Sequence, residues 1–466
     1  MAYKNIYFLG IGGIGMSALA RYFLHEGIAV AGYDRTASAL TEALAREGAT
    51  VTYDDGAEHI PAAFRDPATT MAVYTPAVPH DHPQMRFFRE GGFVIEKRSQ
   101  MLGHLSESKY VMAVAGTHGK TTTSTLIAWL NRVATGGGSA FLGGISKNFD
   151  GNLVLGAGDR LAVEADEFDR SFLRLRPDVA VITAVSADHL DIYGTYEAVV
   201  EAFGQFAGLV KRGGHLILKL GVEIATPAEG VHVWRYSYDT PCDFYAADVK
   251  PCGGGYYDYD IVTPSGRIEG CRTGIPGRIN VENSVAAAAS MWCAAEARGE
   301  RLDHDLLRKG LAEFAGVKRR FEFYVNTPRQ VYMDDYAHHP EELEAAIASV
   351  RGMFPGRKLT AVFQPHLYTR TRDFHKEFAA ALSLADEVVL LPVYPAREEP
   401  IEGVSSRMIA DLVAAPCDMC EREDLARRLG EADTDVVVTF GAGNIDACCA
   451  DVARELERKA GGGARG

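Results

Sequence analysis

Two glycine-rich loops set the outline of this chain, because each stands where a short apolar run passes into a helical one. The first is Gly10-Ile-Gly12-Gly13-Ile-Gly15, and the second is Gly116-Thr117-His118-Gly119-Lys120-Thr121. A strand that turns into a helix through such a loop belongs to a parallel α/β sheet, since the helix carries the chain back across the sheet face. The same turn gathers unpartnered N–H groups at the positive end of the helix, which suits a phosphate. Two such loops predict two phosphate-holding sheets in one chain.

Strand and helix signals alternate around both loops. Residues 5–9, 28–33, 51–53 and 71–75 read as strands, with a helix over 17–26. A second start comes at the strand 110–115 and the helix from Lys120. After a basic, polar hinge at 317–320 a third alternation follows. Its strands are 331–335, 359–364, 388–393 and 436–440, and its helices are 340–351 and 373–384. This βαβα order predicts an α/β fold with mostly parallel sheets. A chain of 466 residues is too long for one core, at roughly 100–200 residues per domain. The joints fall near 106 and 317, giving domains 1–106, 107–316 and 317–466. Residues 243–269 read as antiparallel hairpins, and no solenoid-length repeat is visible.

Composition narrows the partners. Hydrophobic residues make up 47% and charged residues 24%, which excludes a disordered chain, a collagen and a coiled coil. The net charge of −14 argues against nucleic acid as a partner and leaves anionic substrates to be gripped by local groups. Eight cysteines in this length form no disulfide framework and read as thiols of a reducing cytosol. The lone Cys417-x-x-Cys420 has no second pair, so zinc is not expected. The apolar stretch 6–24 is broken by glycines and Arg21, which does not fit a signal peptide. No run of about 18 apolar residues predicts membrane insertion, and the glycines 461–463 look like a frayed tail.

Six motifs carry the chemistry. Gly10–Gly15 follows a strand, opens a helix, and has Asp34 ending the next strand, which is a dinucleotide fingerprint that says diphosphate better than it says NAD. A tight turn with no ligand is the bland alternative. The Gly116–Thr121 loop reads as a P-loop for ATP, with Lys120 reaching phosphates and Thr121 on Mg²⁺, although Val114 stands where the first glycine of the strict spacing would be. Glu164-Ala-Asp166-Glu167-Phe-Asp169 follows a strand, and Glu164, read as the first residue after it, is the expected second metal anchor. Ser186-Ala-Asp188-His189 places a histidine at a strand end, as a site residue or a structural one. Asp334-Asp335-Tyr336-Ala337-His338-His339-Pro340 suits polar substrate contacts. Gln364-Pro-His366-Leu-Tyr368-Thr-Arg370-Thr-Arg372 offers arginines for a carboxylate or phosphate, or a solvated face.

Taken in this order along nearly the whole chain, the motifs resemble the Mur ligase family. The discriminating strings are Gly10 to Ser17 through Met16, the Gly116–Thr121 loop, and Phe363 to Arg372. The resemblance implies a Rossmann-like N-terminal domain for a UDP-sugar, a central P-loop ATPase domain and a C-terminal Rossmann-like domain. By it, Gly12, Gly13, Ile14, Gly15, Met16, Ser17, Asp34 and Arg98 meet the UDP-sugar. Gly116, Thr117, His118, Gly119, Lys120, Thr121, Thr122, Asn280, Asn283, Arg320 and Asp335 meet ATP. Thr121, Glu164 and His189 take Mg²⁺, or Mn²⁺ in its place, and Lys120, Glu164 and His189 are the catalytic set. Tyr336, His338, His366 and Arg370 lie at the amino-acid end. The alanine-adding branch implies a cytoplasmic enzyme, monomer or homodimer, that joins L-alanine to the lactyl carboxylate of UDP-N-acetylmuramate through an acyl phosphate. The alternatives are a sister ligase that adds a tripeptide to the same sugar, and an NAD-dependent oxidoreductase, which leaves Lys120 and Glu164 unexplained. Three departures from the family pattern stand out. Phe203 replaces a carbamylated lysine, Leu367 a frequent arginine, and Ile279 a frequent histidine.

Overall fold

The computed structural model describes residues 3–75, 77–186, 190–227, 229–396 and 398–462. It is a three-domain α/β protein with one sheet per domain. The first sheet holds β1 (Asn5–Leu9), β2 (Ala29–Tyr33), β3 (Thr50–Thr52), β4 (Thr70–Tyr74) and β5 (Val94–Lys97), in the order β3-β2-β1-β4-β5. Its neighbouring strands all pair in parallel, with Phe8 opposite Gly32 and Val73. The order reverses at β1, so the first glycine-rich loop opens into the crevice at the switch point.

The second sheet holds β6 (Tyr110–Ala115), β7 (Ser139–Ser146), β8 (Gly151–Val154), β9 (Arg160–Glu164), β10 (Val179–Ile182), β11 (His215–Lys219), β12 (His232–Ser237), β13 (Phe244–Pro251), β14 (Tyr257–Thr263) and β15 (Gly266–Arg272). Its order is β15-β14-β13-β12-β11-β10-β6-β9-β7-β8. β6 pairs in parallel with β10 and β9, so the second loop also leaves a central strand. Val111, Met112, Ala113, Val114 and Ala115 are all fully buried, as the unbroken apolar run of a strand covered on both faces requires. The third sheet holds β16 (Glu322–Asn326), β17 (Val331–Asp335), β18 (Leu359–Phe363), β19 (Glu387–Leu390), β20 (Cys417–Met419) and β21 (Val436–Phe440). Its order is β16-β17-β21-β18-β19-β20, parallel except for β16 against β17.

Compactness divides the chain into two units. One comprises Met1–Asp248, Tyr259–Cys271 and Glu282–Ala315; the other comprises Val249–Asp258, Arg272–Val281 and Gly316–Gly466. In the first, Phe8, Leu19, Phe23, Leu161 and Phe206 belong to one buried apolar cluster. In the second, Met333, Leu343, Phe363 and Phe378 form another.

Three local expectations change. The first helix is Ile14–His25, so it starts three residues before the expected 17 and takes Ser17 inside it. Glu164 is the last residue of β9 rather than the first beyond it. β13 pairs in parallel with β12, Tyr236 opposite Phe244. The loop between them is held by Arg235 N–H donating to Asp243 Oδ2 at 2.7 Å. The helix expected at 373–384 is Tyr368–Leu382. Its first turn is capped from outside by Glu398, which accepts the Thr369 N–H at 3.0 Å and the Thr369 hydroxyl. A carboxylate at a helix N-terminus satisfies an orphan donor and meets the positive end of the dipole.

Candidate functional site

The first loop is held open by contacts that a side chain would destroy. Gly10 has φ +85°, and a Cβ there would stand 2.5 Å from Thr75 Cγ2. Gly12 donates its N–H to Asp34 Oδ2 at 2.7 Å, which ties the loop to the end of β2. Gly13 caps the Ile14–His25 helix in an extended conformation without a side-chain cap. The Arg98 side chain lies on Gly15, where a Cβ would be 3.0 Å from Nη1. Gly12, Gly13, Gly15, Asp34 and Arg98 are therefore brought together. Ile14 is exposed, and its carbonyl accepts from Asn152 Nδ2 at 3.3 Å. Met16 and Ser17 are turned inward, 2% and 0% exposed, and the Ser17 hydroxyl donates to Ile14 O at 3.0 Å.

The second loop leaves β6 through Gly116 at φ +134°, where a Cβ would collide with Thr183 Oγ1 and the 183–184 backbone. Gly119, at φ +82°, caps the helix Lys120–Thr135. Thr183 fastens the turn: its hydroxyl contacts His118 O and lies 3.2 Å from Ala115 O. Thr117 N–H donates to Ala184 O at 3.0 Å. Lys120 Nζ folds back over the loop, donating to Gly116 O at 2.6 Å and Glu167 Oε1 at 2.7 Å. Burial alone would weaken the ammonium; the Glu167 carboxylate outweighs it and holds the lysine pKa above its ordinary value. Thr121 Oγ1 donates to Glu164 Oε1 at 3.0 Å, while Glu164 Oε2 accepts the Gly143 N–H at 3.0 Å. His118 is exposed and Thr122 half-buried. Asn283 Oδ1 accepts from Thr123 Oγ1 at 3.3 Å.

His189 lies outside the described residues. Among the described residues, no group of three or more His, Cys, Asp or Glu side chains is arranged to hold a metal. What the loop does offer is a hydroxyl and a carboxylate in contact. Hard oxygen donors in that number suit Mg²⁺, which keeps water and takes substrate phosphate for its other positions. Phe203 is fully buried, edge-on to Phe172 at 5.3 Å between ring centres, so a core phenyl fills that position.

In the second unit, Asp335 ends β17 and is 4% exposed. Its carboxylate accepts the N–H of Phe321 and of Ala337, each at 2.9 Å. Burial pushes its carboxyl up, opposed by Arg320 and those two N–H groups. Arg320 stands 5.5 Å over the Tyr336 ring. His338 Nδ1 lies 3.0 Å from Tyr336 O and 3.4 Å from Glu342. Burial lowers its pKa to about 4, with Glu342 opposing and Arg370 assisting. The His338 and His366 rings are 6.1 Å apart, and His366 stacks on Tyr394 at 5.8 Å. Burial and Arg370 also lower the His366 pKa. Tyr336, His338, His366 and Arg370 thus form one cluster. Leu367, between two of them, has φ 71° and ψ 134°, a strained backbone for a residue with a Cβ. Asn280, in this unit, donates from Nδ2 to Pro276 O at 2.6 Å.

Four further residues shape these sites and were not singled out from the sequence. Glu167 pairs with Lys120, Thr183 pins the P-loop, Glu398 caps the Arg370 helix, and Arg319 bonds Asp334 at 2.8 Å. Glu167 stood in the acidic run and Arg319 in the basic hinge, but nothing local separated them from their neighbours.

Comparison with known proteins bears on all three domains. The family described as "Mur ligase family, catalytic domain" matches residues 5–110, "Mur ligase middle domain" matches 114–291, and "Mur ligase, glutamate ligase domain" matches 319–443. A chain named UDP-N-acetylmuramate--L-alanine ligase from Phocaeicola vulgatus is 49% identical over 460 residues, 98% of this chain and 99% of that one. A chain of the same name from Parabacteroides distasonis is 49% identical over 445 residues, 95% of each. The crystal structure of the UDP-N-acetylmuramate-alanine ligase of Thermotoga maritima superposes with a TM-score of 0.75 at 26% identity, covering 98% of this chain and 99% of that one.

Proposed function

Because the chain belongs to the Mur ligase family, we propose that it joins L-alanine to the lactyl carboxylate of UDP-N-acetylmuramate, with ATP cleaved to ADP and phosphate, in peptidoglycan precursor synthesis. The observation that carries this reading is the full-length likeness to chains named for that reaction. Residues 1–106 hold the UDP-sugar, 107–316 hold ATP, and 317–466 supply the amino-acid end and nucleotide contacts. No helix among the described residues is long and apolar enough to cross a membrane, and the proposed location is the cytoplasm.

A carboxylate does not react with an amine, because its oxygen is a poor leaving group. The lactyl carboxylate attacks the γ-phosphorus, giving an acyl phosphate and ADP. The alanine nitrogen, having lost a proton, then attacks the acyl carbon and phosphate leaves. The chain contributes position and charge neutralisation. Backbone N–H groups of the 12–15 turn meet the diphosphate, with Arg98 beside them. Lys120 meets the ATP phosphates. Thr121 and Glu164, with His189, would hold Mg²⁺, which when bound neutralises phosphate oxygens. Asn280, Asn283, Arg320 and Asp335 contact the nucleotide, and Arg370 is suited to the alanine carboxylate.

The test mixes the chain with Mg-ATP and UDP-N-acetylmuramate, and adds L-alanine, glycine, L-serine, a muropeptide tripeptide or nothing in separate tubes. ADP release and the mass of the UDP-sugar are followed. A gain of one alanine residue that needs all three substrates is the expected result. A tripeptide-sized gain moves the assignment to the sister ligase, and no gain in any tube overturns it.

A further inference from the structure

Glu167 lies three residues past Glu164 and on a different path. Glu164 meets Thr121 and the Gly143 N–H, whereas the Glu167 side chain, 1% exposed, meets Lys120 at 2.7 Å. Its other oxygen, Oε2, is buried and has no hydrogen-bond partner among the described residues, so Lys120 balances its charge. The turn that carries it is fastened twice. The Glu167 carbonyl accepts the Tyr193 hydroxyl at 2.7 Å and the Arg170 N–H at 2.9 Å. Arg170 adopts φ 59° and lays its guanidinium 4.9 Å over the Tyr193 ring. This local order fixes the stretch of backbone that carries the carboxylate.

An ammonium has three N–H donors. Gly116 O and Glu167 take two, and Thr117 O at 3.5 Å is too far for a good bond. One donor is left for phosphate. Moving Lys120 away to meet a nucleotide would strand a buried carboxylate beside a polyphosphate, which is strongly unfavourable. Sharing the ammonium avoids that. We propose that Glu167 is a positioning residue: it stays paired with Lys120 through nucleotide binding and turnover, and keeps the remaining N–H turned to the transferred phosphate. The inference rests on the ATP reading of the loop.

The experiment is a double-mutant cycle on the full chain, with Glu167→Gln, Lys120→Met and both together. ADP affinity, kcat, KM for each substrate and melting temperature are read. Glu167→Gln keeps the shape and a hydrogen-bond acceptor, so it melts near the parent. Its kcat falls by on the order of 10²-fold, the scale of a misplaced catalytic group, while KM for the UDP-sugar is unchanged. Added to Lys120→Met, the same change costs no further turnover or ADP affinity, because its effect runs through the lysine. Near-parental kcat in Glu167→Gln, or losses that add in the double variant, overturns the role. If the unmodified chain binds no ADP, the ATP reading itself falls; if it binds ADP and Glu167→Gln is indifferent, only the Glu167 role falls.

Discussion

At the scale of the residue, His338 is set apart from an ordinary histidine by its surroundings. Its ring is packed between Tyr336 and His366, with Arg370 as a like charge and Glu342 as the opposing one. Burial is the larger effect and takes the pKa to about 4. The imidazole is then neutral throughout the physiological range, able to accept or donate one hydrogen bond but not to repel a substrate ammonium. The unfolded chain binds this proton near pH 6.5 and the folded chain only near 4. The stability contribution is therefore complete above 6.5 and declines as pH falls toward 4. NMR of the His338 ring should show no titration between pH 8 and 5.5. A midpoint near 6.5 would refute the burial argument.

Elements answer a different question, namely whether a loop is shaped for its own fold or for a ligand. Gly116 and Gly13 separate the two. At Gly116 the backbone is left-handed and a Cβ would overlap Thr183, so Gly116→Ala should lower the melting temperature and abolish nucleotide binding. At Gly13 the backbone is extended, and a Cβ would find nothing nearer than Gly10 O at 3.6 Å. Gly13→Ala should therefore melt like the parent yet bind the UDP-sugar about tenfold or more weakly, a loss of about 1.4 kcal/mol, if the turn holds the diphosphate as proposed. Unchanged affinity, measured by calorimetry, would mean the turn serves only the fold. The helix Tyr368–Leu382 makes the complementary point. Its start depends on Glu398, a residue no local pattern connects to Thr369.

Over the whole molecule, Arg319 joins pieces of chain that are far apart in sequence. Its guanidinium bonds Asp334 at 2.8 Å, Gly441 O at 2.5 Å and Gly443 O at 3.3 Å, with Asp334 fully buried. It reaches them from a left-handed backbone at φ 60°, which the surrounding bonds maintain. Removing the arginine leaves a buried carboxylate without its counter-charge, at a cost of about 3–5 kcal/mol. Burial already raises the Asp334 pKa to about 6 from an ordinary 3.8, with Arg319 opposing the rise. A raised carboxyl contributes fully at low pH and loses that contribution as pH climbs through its folded value. Without Arg319 that value moves higher still. The melting difference between Arg319→Ala and the parent should be wide at pH 8 and narrow at pH 5. A gap independent of pH would show that Asp334 is not the group left stranded.

Adjacent residues alone set the kind and order of elements and the places where chemistry enters. β1, β17 and β21 run over the residues their apolar patterns marked, and both glycine-rich loops leave central strands. Those features are local: a buried parallel strand and a strand-to-helix turn are written in adjacent residues. The tertiary structure alone decided which side chains meet. Lys120 found Glu167 across 47 residues, and Thr369 found Glu398 across 29. Arg319 found Gly443 across 124, and Ser17 turned inward once the helix began at Ile14. A charge or a hydroxyl takes whatever partner the packed fold brings within hydrogen-bond reach. The sequence states that a buried charge needs a partner, but only the fold chooses it.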